Sequence, residues 1–145
     1  MRGGGEFPIV GSMRITGGEL RGRLLRVPGA GVRPTQDRVR SALFSILGPR
    51  VAGCRFLDLF AGSGAVGLEA WSRGAAHVCW VDSGRHVISV LKQNVDGMCD
   101  ARKQVCGQDV FLALKKRLVG DPYDIIFSDP PYDRENLRDV QGRVL

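Results

Sequence analysis

The chain has 145 residues, 43% hydrophobic and 25% charged, enough for one domain with its own core. It holds no run of the roughly eighteen uncharged residues that a membrane helix needs. Cys54, Cys79, Cys99 and Cys106 lie 25, 20 and 7 positions apart with no Cys-x-x-Cys pair, and His77 and His86 lack ligating neighbours at useful spacing, so neither a metal centre nor a disulfide frame is indicated. A cytoplasmic protein with reduced, buried thiols is the expectation.

Residues 1–12, with Gly3 to Gly5 and Glu6-Phe7 ahead of Gly11-Ser12, read as a leader and are set apart from the fold. Residues 13–50 form an arginine-rich arm and helix. Arg14 to Val27 has short apolar stretches around Gly17, Gly18 and Gly22, which suits a hairpin or an irregular arm, and Pro28 to Gly31 is a loop. Thr35 can cap a helix running to about Leu47, with Val39, Leu43 and Ile46 on one face and Gly48-Pro49 stopping it. Residues 51–145 then alternate. Strands near 54–60, 77–81, 103–107 and 123–128 are separated by helices near 65–72, 85–95 and 110–118, the rhythm of an α/β parallel, doubly wound sheet.

The formal net charge of +6 is not spread evenly. Residues 13–50 hold eight arginines and no lysine against Glu19 and Asp37, a net of +6, while residues 51–145 hold twelve basic and twelve acidic side chains. Arginine suits bidentate gripping of phosphate, so Arg14, Arg21, Arg23, Arg26 and Arg38 are the candidate nucleic-acid contacts. The other reading is an ordinary solvated face.

Two short runs carry the chemistry. Asp58-Leu-Phe-Ala-Gly-Ser-Gly-Ala-Val-Gly67 places a glycine turn between a buried strand and a helix whose N-terminus faces a ligand. Its spelling also fits Gly-x-Gly-x-x-Gly, and Asp82, twenty positions after Gly62, could bind a ribose under a dinucleotide or an S-adenosylmethionine reading. Asp58 favours the second, because a carboxylate beside the turn would repel a pyrophosphate and attract ammonium and sulfonium cations. A turn that merely packs helix on strand is the third possibility.

The second run, Ser128-Asp-Pro-Pro-Tyr132, lands Asp129 at the carboxyl end of a strand, where open α/β sheets bind ligands. Pro130 and Pro131 remove two backbone donors and leave a rigid loop with free carbonyl oxygens. If Asp129 and the Pro130 carbonyl accept the two protons of an exocyclic amine, its nitrogen lone pair can attack an electrophilic methyl, and Tyr132 offers a flat face for an unstacked base. Taken alone, Asp-Pro-Pro is equally good turn chemistry.

Met13-Arg-Ile-Thr-Gly-Gly-Glu-Leu-Arg-Gly-Arg23, Val32-Arg-Pro-Thr-Gln-Asp-Arg-Val-Arg40, Leu43-Phe44 and the two runs above occur in the order found in the bacterial 16S ribosomal RNA guanine-N2 methyltransferases, which the chain resembles from Met13 to Tyr132. The resemblance implies a Rossmann-like, S-adenosylmethionine-dependent methyltransferase fold whose sheet continues through three further strands beyond this chain. It implies S-adenosylmethionine as donor and, as acceptor, a guanine of ribosomal RNA or of an assembling small ribosomal subunit. By position, Arg33, Pro34 and Thr35 would close over the donor's methionine end. Asp58, Phe60, Ala61, Gly62, Ser63 and Gly64 would line it, Asp82 would take its ribose and Asp109 its adenine, with Ser83 and Val110 also among the donor-binding residues. Asp129, Pro130 and Tyr132 would hold the guanine. Ser41 and Ser45 stand where the family usually carries glutamate and asparagine, and Asp82 where a longer glutamate is common. Two rival readings are another amino methyltransferase, such as an adenine-N6 enzyme on DNA or RNA, and a non-catalytic nucleic-acid-binding module. An exposed sheet edge would also permit self-association.

Overall fold

The computed structural model describes residues 13–29, 36–120 and 122–130. Four parallel strands, β3 (Arg55–Leu59), β4 (His77–Asp82), β5 (Lys103–Gly107) and β6 (Ile125–Ser128), lie in the order β5-β4-β3-β6. Ahead of them, β1 (Met13–Arg14) and β2 (Leu24–Leu25) pair antiparallel, so the arm opens as a hairpin. Between them run α1 (Asp37–Leu47), α2 (Ala65–Ser72), α3 (Arg85–Asp96) and α4 (Val110–Lys115).

Side chains of a strand alternate between faces, and on β3 and β4 both faces are covered, whereas the edge strand β6 leaves Ile126 exposed. Phe56, Val78 and Trp80 join Val66, Leu68, Leu91 and Val95 in one core, while Leu57, Leu59, Cys79 and Val81 join Val110 and Ala113 in another. The buried positions of the central strands are therefore apolar on both faces, apart from Asp58 within β3. Met13, Ile15, Leu25 and Phe44 belong to the first core, with Phe44 stacked on Phe56 at 6.0 Å between ring centroids. The hairpin and α1 are thus packed onto the sheet domain.

Several boundaries differ from expectation. β3 stops at Leu59 because Phe60 turns to φ 57°, and α4 stops early, with Arg117 at φ 54°. α1 begins at Asp37 with Gln36 at its N-cap and no side-chain cap, and Thr35, the expected cap, lies outside the described residues. The buried face of α1 also corrects the expectation. Val39 is 52% and Ile46 74% exposed, whereas Arg40 and Phe44 are buried and Leu43 and Leu47 partly so. A stripe through positions 40, 44 and 47 keeps helical spacing as well as one through 39, 43 and 46. What selects it is a carboxylate inside the domain, Glu69, which draws Arg40 inward.

Candidate active site

The turn after β3 is shaped by its glycines. Gly62 and Gly64 take φ 58° and 87°, a region that L side chains rarely adopt. The turn is then fastened from four sides. Ala61 N–H donates to the Val81 carbonyl at 3.0 Å, Gly62 N–H to Asp82 Oδ2 at 3.0 Å, Trp80 Nε1 to the Gly64 carbonyl at 3.0 Å, and Asn94 Nδ2 to the Ser63 carbonyl at 2.8 Å. Gly67 permits the close approach of α2 to β4, since a Cβ there would stand 2.3 Å from Trp80 Nε1.

Asp58 lies beneath this turn, 1% exposed, and accepts the Gly67 N–H at 2.9 Å, so it caps the first turn of α2. In register it faces Trp80 of β4 on one side and Phe127 of β6 on the other. Two residues further along each neighbour stand Asp82 and Asp129, which places three carboxylates at the carboxyl rim of three adjacent parallel strands. Burial pushes the Asp58 carboxyl well above the usual carboxylate range; the Gly67 N–H opposes this, and the charges of Asp82 and Asp129 add to it. The sequence placed a carboxylate beside the turn, and the structure buries it there. Its ionised form gains from a cation, and a rim of three carboxylates suits a cationic ligand and disfavours a pyrophosphate.

The other expected site residues sit as follows. Asp82 uses Oδ2 for Gly62 N–H and Oδ1 for Gly84 N–H, both at 3.0 Å, which holds the β4–α3 loop around exposed Ser83. Each oxygen keeps a second acceptor position for a ligand hydroxyl. Asp109 is exposed and caps α4 by accepting Leu112 N–H at 3.0 Å; Val110 is buried behind it, and Phe111 meets Phe60 edge-on at 6.2 Å. Asp129 is exposed at the tip of β6, with Pro130 half-buried beside it. Arg33, Pro34, Thr35 and Tyr132 lie outside the described residues.

Arg14, Arg21, Arg23, Arg26 and Arg38 are exposed. Arg23 donates to the Gly97 carbonyl at 3.3 Å and Arg26 to Gln93 Oε1 at 3.1 Å, laying this part of the arm along the end of α3. Arg40 is the exception to the basic face. It is fully buried, reaching Glu69 at 3.3 Å, Asp37 at 2.7 Å and the Arg14 carbonyl.

Glu69 is equally buried, and its carboxylate also accepts Thr16 N–H and Gly17 N–H at 3.0 Å and Arg73 Nε at 2.9 Å. Sequence reasoning missed Glu69, Arg40, Asn94 and Ser72. A signal for Glu69 was present, because it is the one acid in a helix otherwise apolar or small on every side, Ala65–Ser72. Among the described residues no group of three His, Cys, Asp or Glu side chains could hold a metal ion, and no helix is long and apolar enough to cross a membrane.

This arrangement has relatives. Ribosomal RNA small subunit methyltransferase D of Escherichia coli K12 is 42% identical over 131 residues, covering 90% of this chain and 65% of its own length. The chain therefore spans slightly less than two thirds of that relative. The solved structure of the Escherichia coli protein yhhF, provisionally named a methyltransferase, matches with TM-score 0.79 and 40% identity over 92% of this chain and 73% of its own. Another provisionally named methyltransferase, solved in complex with SAH, matches with TM-score 0.57 and 30% identity over 72% of this chain and 28% of its own. The fold is accordingly Rossmann-like, of the S-adenosylmethionine-dependent methyltransferase type. The family described as conserved hypothetical protein 95 matches residues 13–144, and the chain belongs to it.

Proposed function

We propose that this chain serves S-adenosylmethionine-dependent methylation of the exocyclic N2 amine of a guanine in small-subunit ribosomal RNA, free or in an assembling particle. The observation that carries the reading is the shared rim: Asp58 under the glycine turn and Asp129 just beyond the adjacent strand stand at the carboxyl ends of neighbouring parallel strands. The 42% identity to a small-subunit RNA methyltransferase and the SAH held by a structural relative support it.

When bound, S-adenosylmethionine supplies an electrophilic methyl carbon on a sulfonium. The residues present suit it: Asp58, Asp82 and Asp129 favour its positive charge, and Asp82 retains acceptor positions for ribose hydroxyls. On the acceptor side, Asp129 and the Pro130 carbonyl would take the two amine hydrogen bonds, orienting the nitrogen and leaving its lone pair free. The proton lost as the nitrogen–carbon bond forms would pass to Asp129 or to water. Tyr132 would stack on the extruded base. The exposed arginines of the arm would grip phosphates, and the arm's packing against α2 and α3 would fix their distance from the rim.

The test is a methyl-transfer assay on small-subunit RNA with wild type beside Asp129→Ala, with nucleosides identified after digestion. The variant should lose about 100-fold or more in turnover. Equal turnover would remove Asp129 from the chemistry. N6-methyladenine as product, or equal activity on DNA, would replace the guanine reading.

A further inference from the structure

Asn94 lies on α3 with 4% of its surface exposed, and its amide serves the backbone of two distant segments at once. Nδ2 donates to the Arg26 carbonyl at 2.9 Å and to the Ser63 carbonyl at 2.8 Å, while Oδ1 accepts Arg26 N–H at 3.0 Å. Arg26 belongs to the arm and Ser63 to the glycine turn, between the two positive-φ residues Gly62 and Gly64. The arm's other contacts to this helix, Arg23 with the Gly97 carbonyl and Arg26 with Gln93, are exposed and do not reach the turn.

Both donors of this amide are committed, one to each segment. They can be satisfied together only while Arg26 and Ser63 keep one separation, and a buried donor left without a partner is costly. A ligand that restrains the turn therefore restrains Asn94, and through it the backbone of Arg26. A phosphate that orders Arg26 acts in the opposite direction. Whichever ligand binds second then meets a partly ordered site, which is a positive coupling free energy between the two.

We propose that Asn94 is a positioning residue that links the donor site at the glycine turn to the RNA-facing arm, so that S-adenosylmethionine and RNA each tighten the other's binding. This rests on the methyl-transfer reading. The chemistry of Asn94 is purely that of a bridge: an amide neither titrates in this range nor stands at the three-carboxylate rim.

Ser72 provides the control. Its hydroxyl also ties down the arm, accepting Leu20 N–H at 2.8 Å and donating to the Gly17 carbonyl at 2.6 Å, but from the far end of α2 and without touching the turn. The experiment measures S-adenosylmethionine affinity of the full chain by calorimetry, with and without a small-subunit RNA transcript. Wild type should bind donor about five- to tenfold more tightly with RNA present. Asn94→Ala should bring that ratio to about one, whereas Ser72→Ala should keep it even if both variants melt earlier. A wild-type ratio in Asn94→Ala, or its loss in both variants, overturns the proposal.

A second measurement needs no variant. Saturating wild type with S-adenosylmethionine should slow hydrogen exchange at the Arg26 amide several-fold and leave the Leu20 amide unchanged; no slowing at Arg26 overturns the linkage. Wild type that binds neither donor nor RNA would overturn the methyl-transfer reading and this inference with it, whereas wild type that binds both without mutual effect overturns the linkage alone.

Discussion

Replacing Glu69 by glutamine keeps the shape of the side chain and removes half of what it accepts. Oε1 takes Thr16 N–H and Arg40 Nε, and Oε2 takes Gly17 N–H and Arg73 Nε, at 2.9 to 3.3 Å. In either orientation of the new amide, an NH2 group faces one of these donor pairs, so two hydrogen bonds are lost and donors oppose donors. At about 1.5–3 kcal/mol for each hydrogen bond to a charged group, the cost is about 3–6 kcal/mol, overlapping the range for breaking a buried ion pair. For a chain of this size that is a fall of about 10–20 °C in Tm, read by calorimetry and checked by urea titration. The pH dependence gives a second signature. Burial pushes the Glu69 carboxyl up, but the Thr16 N–H and the Arg73 side chain outweigh it and leave it below the usual glutamate range. A depressed pKa contributes stability that is present above the ordinary glutamate value and lost as pH falls through the folded one. Wild type should thus lose stability more steeply in acid than Glu69→Gln. A loss under about 1 kcal/mol, or parallel acid slopes, would refute the view that Glu69 anchors the arm.

Asp58→Asn keeps an acceptor for Gly67 N–H and removes the charge. The carboxyl is raised first by burial and then by Asp82 and Asp129, so wild-type stability should fall as pH climbs from the ordinary carboxylate range toward the raised value. The variant should therefore melt higher at neutral pH with a flatter pH profile, yet bind S-adenosylmethionine about tenfold more weakly by calorimetry; undiminished affinity would count against a role in attracting the cation. Gly67→Ala sets a Cβ 2.3 Å from Trp80 Nε1 and should cost about 2–4 kcal/mol in urea unfolding. Gly53→Ala, at φ 77° with nothing within 4 Å, should cost only about 1 kcal/mol, and equal losses would show that backbone strain rather than space dominates. Arg21→Ala with Arg23→Ala should lower the slope of log affinity for RNA against log salt by about 1.4 if both side chains hold phosphates of single-stranded RNA, and an unchanged slope would move the RNA surface elsewhere.

The parallel α/β rhythm, the glycine turn and the carboxylates at strand tips were legible in the sequence because each is written locally. An apolar run of strand length, a glycine where φ must be positive, and an acid just past a strand need only a few neighbouring residues to be read. That Asp58 and Asp129 share a rim follows from strand pairing, and the expected parallel order of the strands made it readable in outline. Tertiary structure decided the rest. It buried Asp58 beneath the turn, turned Arg40 into the core while leaving Val39 and Ile46 in solvent, and set Asn94 between the arm and the glycine turn. Each of these depends on a partner 29 to 68 positions away or on a strand that arrives much later in the chain. Helical periodicity permits more than one buried stripe, and a polar side chain is neutral as to which backbone it will satisfy. Only the assembled interior, where an unpartnered donor or charge is expensive, selects among those choices.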